Sequence, residues 1–231
     1  MNARSVRVSL AIFLVGMSNV GSAQVLQYVG CEVENANEFA AMIDRAHSAM
    51  SEGDRPTVTL LQNSFNGPST QTHTVLLEFP DYEGLQAWGG RIAQSPAVQL
   101  NFERSSHNQE CNTQGIVVER ASWGDRDADW GYNAVFPVTT SDTDAYVAAL
   151  GDLFTSETGE NMPGATILYE SRAGGANTHV VVALAPDFAA LNNYLDTFYQ
   201  SDEFEDFSDE VSEIRSVGVR TQSRRVRTWE P

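Results

Sequence analysis

Four histidines, His47, His73, His107 and His179, are the side chains of this sequence whose ordinary pKa lies near neutrality. Two of them stand at the same place in two copies of one stretch. THTVLLEFPDYEGL (72–85) and THVVVALAPDFAAL (178–191) align without a gap at an offset of 106 and share six of fourteen residues, among them His73/His179, Pro80/Pro186 and Asp81/Asp187. A shared metal or acid/base role for His73 and His179 requires the two copies to bring them together. Duplication alone explains the pairing equally well, with both rings at strand starts. No histidine has the neighbours of a nucleophile triad, and no Gly-x-Ser-x-Gly elbow occurs. His47 falls near a helix C-terminus, a surface position where its charge meets carbonyls, and His107 lies in the polar loop SSHNQE.

Asp125, Asp127 and Asp129 alternate as in a calcium loop, but Trp130 and Phe136 occupy the places where that loop needs Gly and an acid. The stretch reads as an acidic linker. Arg215, Arg220, Arg224, Arg225 and Arg227 gather near the C-terminus, where pairing with the acids of 202–213 is the expected use and an anion ligand the sharper alternative. Cys31 and Cys111 have no further Cys or His at metal-ligand spacing, so a disulfide is expected and a metal is not.

The elements that must position these groups begin with an address. Arg4 and Arg7 precede the apolar VSLAIFLVGM and then Gly21-Ser22-Ala23, the pattern of a signal peptide over residues 1–23, cleaved after Ala23. Its apolar run is too short for a membrane anchor, and nothing later approaches the ~20 residues that spanning requires. An exported protein is expected, in the periplasm or outside the cell. Removing 1–23 leaves 12 Arg and no Lys against 31 acids, a net charge of −19. Such a field repels phosphate backbones and anionic headgroups, so nucleic acid and membrane surfaces are excluded as partners.

Periodicity predicts two passes through the order βαββαβ. The first has strands at 24–33, 57–65, 72–79 and 115–123, a helix capped by Asn35 or Asn37, and a second helix capped by Asp81 with Leu85, Trp88 and Ile92 inward. The second has strands at 130–138, 165–171, 178–185 and 216–227, a helix entered at Ser141 or Asp142, and one carrying Phe188, Leu191, Tyr194, Leu195 and Phe198. Phe204, Phe207, Val211 and Ile214 continue at helical spacing among acids. The fold class is therefore α+β, two tandem ferredoxin-like units over 24–124 and 125–231. First and fourth strands are antiparallel neighbours in such a sheet, which places Cys31 beside Cys111.

Two βαββαβ units in tandem, each with a helix opening on Pro-Asp after the third strand, resemble the dimeric α/β-barrel superfamily, in particular its antibiotic-biosynthesis-monooxygenase-like and stress-responsive domains. The resemblance implies that two sheets pack into one pseudo-dimeric barrel, here within one chain, and that each unit encloses a pocket between sheet and helices. It also implies oxygenase or haem-dependent relatives. The oxygenases use an Asn and a Trp one helical turn apart; Trp88 is present here, with Gly84 in the Asn position, and Tyr194 with Ala190 in the second unit. The haem-degrading pattern wants a His about ten residues after the Trp, where this chain has Val98.

Pocket candidates are accordingly Trp88, Tyr194, Asn133, Tyr28, His73 and His179, with no cofactor and no metal expected. Three functions compete: a module binding a small apolar or amphipathic molecule, a cofactor-independent monooxygenase, and a structural or protein-interaction barrel. A monomer suffices to close the barrel, and a homodimer is compatible with it.

Overall fold

A computed structural model of the chain describes residues 24–105 and 108–231. The expected signal peptide, residues 1–23, and His107 lie outside the described residues.

The first half runs β1 (Val25–Val33), α1 (Ala36–Ser48), β2 (Thr57–Phe65), β3 (His73–Phe79), α2 (Tyr82–Gln94), α3 (Pro96–Ser105) and β4 (Gln109–Gly124). The second runs β5 (Tyr132–Thr140), α4 (Thr143–Phe154), the short α5 (Glu157–Glu160), β6 (Ala165–Ala173), β7 (His179–Ala185), α6 (Phe188–Phe198), α7 (Asp202–Glu210), β8 (Arg215–Val217) and β9 (Thr221–Trp229). The helix starts follow from side-chain caps. Asn35, Asp81, Asp142 and Asp187 each accept the backbone N–H three residues on, satisfying a donor that the helix cannot pair internally.

Within each half the sheet order is that of a ferredoxin-like unit: β4-β1-β3-β2 in the first, β9-β5-β7-β6 in the second. The edge of each half is then taken up by the other, β2 pairing with β9 and β4 with β6, all antiparallel. Eight strands close into a ring, and β8 adds to the outer part of β5. The closure explains two departures from the sequence-based boundaries. The fourth strand, expected over 115–123, begins at Gln109, because it serves two partners in succession: β1 along 109–118 and β6 along 116–124. The final strand, expected unbroken over 216–227, divides at 218–220: β8 pairs with the far end of β5, and β9 lies between β5 and β2. Gly124 makes the first crossover possible. Its φ of +82° is a glycine conformation, and a Cβ there would strike the carbonyl of Gly164.

Strand alternation gives the ring two faces. Val25, Val29, Cys31, Val58, Leu60, Val75, Leu77 and Phe79 point outward to meet Phe39, Met42 and Ile43 of α1. Val138, Leu168 and Val181 do the same in the second half against α4, α6 and α7. Leu26, Val117, Ile167, Tyr169 and Leu184 form a third cluster.

Cys31 and Cys111 oppose each other in the β1–β4 register and are joined by a disulfide. His73 and His179 sit at the starts of β3 and β7, buried, each bonded through Nδ1 to the hydroxyl of the preceding threonine at 2.9 Å. Phe39 covers the first ring and Tyr146 the second. His47, expected at the surface, is buried instead, its Nε2 at 3.3 Å from the Pro56 carbonyl. The turn after α1 folds back over it. Burial pushes all three imidazoles below the ordinary 6.5. The C-terminal arginines also differ from expectation. Arg225 pairs with Asp129 and Arg227 with Asp44, not with the acids of 202–213, because β9 is drawn across to β2 and away from α7.

Two measurements follow. The disulfide spans a sequence separation of 80, so replacing both cysteines by serine should lower the unfolding free energy by about 4 kcal/mol, read from urea denaturation. The histidines bind protons more readily unfolded than folded. Their contribution to stability is therefore complete above pH 6.5 and is lost as pH falls below it. Unfolding at about pH 5.5 should need less urea than at about pH 7.5, and the folded imidazole resonances should titrate below 6.5.

Candidate functional site

Each half encloses a cavity between its sheet and its helices, and the two differ in size. The first, about 390 Å³, is walled by Val29, Val58, Val75 and Leu77 of the sheet, Phe39, Met42, Ile43 and His47 of α1, Trp88 and Ile92 of α2, and Phe102 of α3. The second is about 130 Å³. The reason lies in a few exchanges between equivalent positions. Phe136 fills the place of Val29, Phe154 that of His47, and Phe198 that of Ile92. Helix α6 buries Leu191, Leu195 and Phe198, with Phe198 stacked on Phe154, whereas α2 carries Gly89 at the Leu195 position and has no fully buried residue. The second half is more nearly filled, with about 130 Å³ of space against about 390 Å³ in the first.

Trp88 and Tyr194 are equivalents, and each lines the cavity of its own half. Trp88 leans on Phe79, ring centroids 5.6 Å apart, and Tyr194 on Phe198 at 5.3 Å. The indole Nε1 of Trp88 and the hydroxyl of Tyr194 are both buried and have no hydrogen-bond partner. A buried donor without an acceptor costs roughly 1–3 kcal/mol. In the small second cavity the burial that orphans the Tyr194 hydroxyl also pushes its pKa far up. In the first, an apolar space large enough for a small molecule stands beside the orphaned donor.

His73 and His179 line none of these spaces. They lie on the outward face of β3 and β7, four strands apart in a ring of eight, and so point away from each other on opposite walls. Among the described residues no three His, Cys, Asp or Glu side chains gather as a metal site. The remaining candidates, Tyr28 and Asn133, face the interior of the ring, where a third cavity of about 620 Å³ runs. The pocket candidates named from sequence thus divide among three places: Trp88 in the first cavity, Tyr194 in the second, Tyr28 and Asn133 in the ring interior. Sequence reasoning missed His47 and Phe102 as cavity walls and Glu78 in the interior. Strand period would have found Glu78, since it follows Thr74 and Leu76 on one face of β3.

No family profile matches the chain, and no curated protein matches it in sequence. Solved structures do match in shape. A provisionally named monooxygenase of Fusobacterium nucleatum is 12% identical, with a TM-score of 0.60 over 90% of this chain and 95% of its own. An anthrone oxidase-like protein is also 12% identical, with a TM-score of 0.58 over 90% and 93%. A heme-binding protein from Thermus thermophilus is 11% identical, with a TM-score of 0.53 over 89% and 92%. The two sheet–helix cavities do not fit that last cofactor. The second cavity is too small for a porphyrin; the first has no cation among its lining residues to meet two propionates, and its one histidine has Nε2 at a backbone carbonyl. The chain has the fold of the dimeric α/β-barrel superfamily, with both halves of the barrel supplied by one polypeptide.

Proposed function

We propose that the protein binds a small, flat, mainly apolar molecule in the cavity of its first half, between the outer face of the sheet and α1–α3. The observation that carries this reading is the Trp88 indole N–H, buried and unpartnered in the wall of an apolar space of about 390 Å³. A ligand carbonyl or ether oxygen supplies the missing acceptor, and the aromatic and aliphatic walls supply the affinity. The duplication makes the case sharper, because the second half shows how the same fold packs when nothing needs to be held. Binding belongs to the first unit, 24–124, and the second unit, 125–231, completes the barrel that supports it.

The protein is proposed to act after export, cleaved behind Ala23, in the periplasm or the medium. The disulfide and the lack of any helix long and apolar enough to cross a membrane, among the described residues, agree with this. N-terminal sequencing of the exported protein should begin at Gln24. A second reading, oxygenation of the bound molecule without a cofactor, draws on the monooxygenase and anthrone oxidase-like neighbours. Consumption of anthrone with incorporation of oxygen would favour it over binding alone.

Calorimetric titration with 1,4-naphthoquinone, a flat apolar probe with two acceptors, tests the site. The chain has no free cysteine among the described residues to react with it. Trp88→Phe keeps the ring and removes the donor, and should weaken binding about fivefold, the worth of one hydrogen bond. Ile92→Phe copies the second half and should abolish binding while adding about 0.5–2 kcal/mol of stability by filling the cavity. Unchanged binding in Ile92→Phe would place the probe outside this cavity, and no binding by the wild type would move the assignment to a structural barrel.

A further inference from the structure

The interior of the ring contains more space than either sheet–helix cavity, about 620 Å³, although side chains filling it would have been the simpler outcome. Its waist is apolar, made by Leu26, Leu76, Val117, Ile167 and Val182. Much of the remaining lining is polar, Thr59, Thr74, Ser223, Arg126 and Arg225 included, and two of its groups stand out. Asn133 is 2% exposed, and its Oδ1 has no hydrogen-bond partner. Glu78 reaches into the same space, one carboxylate oxygen accepting from Gln24 Nε2 at 2.9 Å.

Their placement follows from the duplication. β1 and β5 are four antiparallel steps apart around the ring and therefore run the same way. Equivalent positions in the two halves then lie at one level of the barrel. Leu26 opposes Glu78 in the β1–β3 register, and Asn133 opposes Leu184 in the equivalent β5–β7 register. Each half has therefore exchanged one of two leucine-type positions for an acceptor, and each chose the other position. Glu78 and Asn133 are three strands apart in a ring of eight, and both line the interior.

The cations nearby are already engaged. Arg126 bonds Glu119 and Gln24. Arg225 bonds Asp129 and lies over the Trp130 ring. The carboxylates of Glu78, Asp127 and Glu230 line this space with the Asn133 carboxamide oxygen, Glu78 being the one beside Leu26 in the strand register, in a protein of net charge −17 whose field draws cations to the barrel mouth. Burial also holds the Glu78 carboxyl above its ordinary range, against the opposing pull of Arg126. A bound ammonium reverses that.

We propose that the barrel interior is a second binding site, which takes the ammonium group of an alkylamine between Glu78 and Asn133 and lays its chain along the apolar waist. The site is independent of the one proposed beneath α2. It lies on the other face of the same sheet.

The test is calorimetric titration of the full exported chain with octylammonium chloride, with sodium octanoate as the matched anion. Glu78→Leu and Asn133→Leu install the residue types that the opposite half carries at Leu184 and Leu26, so the fold has a precedent for both. Saturable one-to-one binding of octylammonium is expected, weakened ~10-fold or more by Glu78→Leu and ~5-fold by Asn133→Leu, with no binding of octanoate. Glu78→Gln preserves shape and should weaken binding ~10-fold as well, which keeps the test decisive if the leucine variant unfolds. Ile92→Phe should leave octylammonium binding unchanged. The proposal is overturned if the wild type takes up no octylammonium, if it takes up octanoate as well or better, if the Glu78 variants bind as the wild type does, or if Ile92→Phe abolishes uptake.

Discussion

Everything in this molecule depends on the two edge pairings, β2 with β9 and β4 with β6. A four-stranded ferredoxin-like sheet on its own exposes two edges of unpaired backbone donors and acceptors, which is a standing invitation to associate. Here each half offers its edges to the other. The pairing also converts two gently twisted sheets into a closed ring, and a ring has an inside. Because side chains alternate along every strand, closure decides which residues face helices and which face a lumen that neither half possesses alone.

Duplication followed by divergence then accounts for where space remains. The two halves share caps, register and the Thr-His pair with its buried ring at the third strand, so their frameworks correspond. They differ in bulk. Phe136, Phe154, Leu195 and Phe198 fill the second half, and Val29, His47, Gly89 and Ile92 leave the first open. Interiors are ordinarily packed to crystal density, so a persistent hollow lined by an unpartnered donor is the departure that needs a function. The second half has an unpartnered hydroxyl too, at Tyr194, but only about 130 Å³ of space beside it against about 390 Å³ in the first.

The aromatic and polar residues singled out from sequence illustrate what one-dimensional reading can reach. Trp88 and Tyr194 are legible as inward residues because helical period and a proline-aspartate cap fix the face of α2 and α6. Asn133 is legible as a polar interruption in an apolar strand. His73 and His179 are legible as a pair, but their meaning is not: only the ring shows that they occupy opposite outer walls. His47 runs against its sequence reading because a residue at a helix C-terminus looks solvent-exposed until the following turn is seen to cover it.

The order of elements, the Pro-Asp caps of α2 and α6, the duplication, and the ferredoxin-like halves with the cysteine pairing that they imply can all be read from the chain alone. Each rests on local period or on a repeat that can be counted. The registers across the two seams, the breaks and extensions of β4, β8 and β9, the pairing of the C-terminal arginines with Asp44 and Asp129, and the positions of the cavities arise only when the chain folds. The physical reason is that seam register and cavity shape depend on residues distant in the chain meeting in space. No window along the sequence contains both partners.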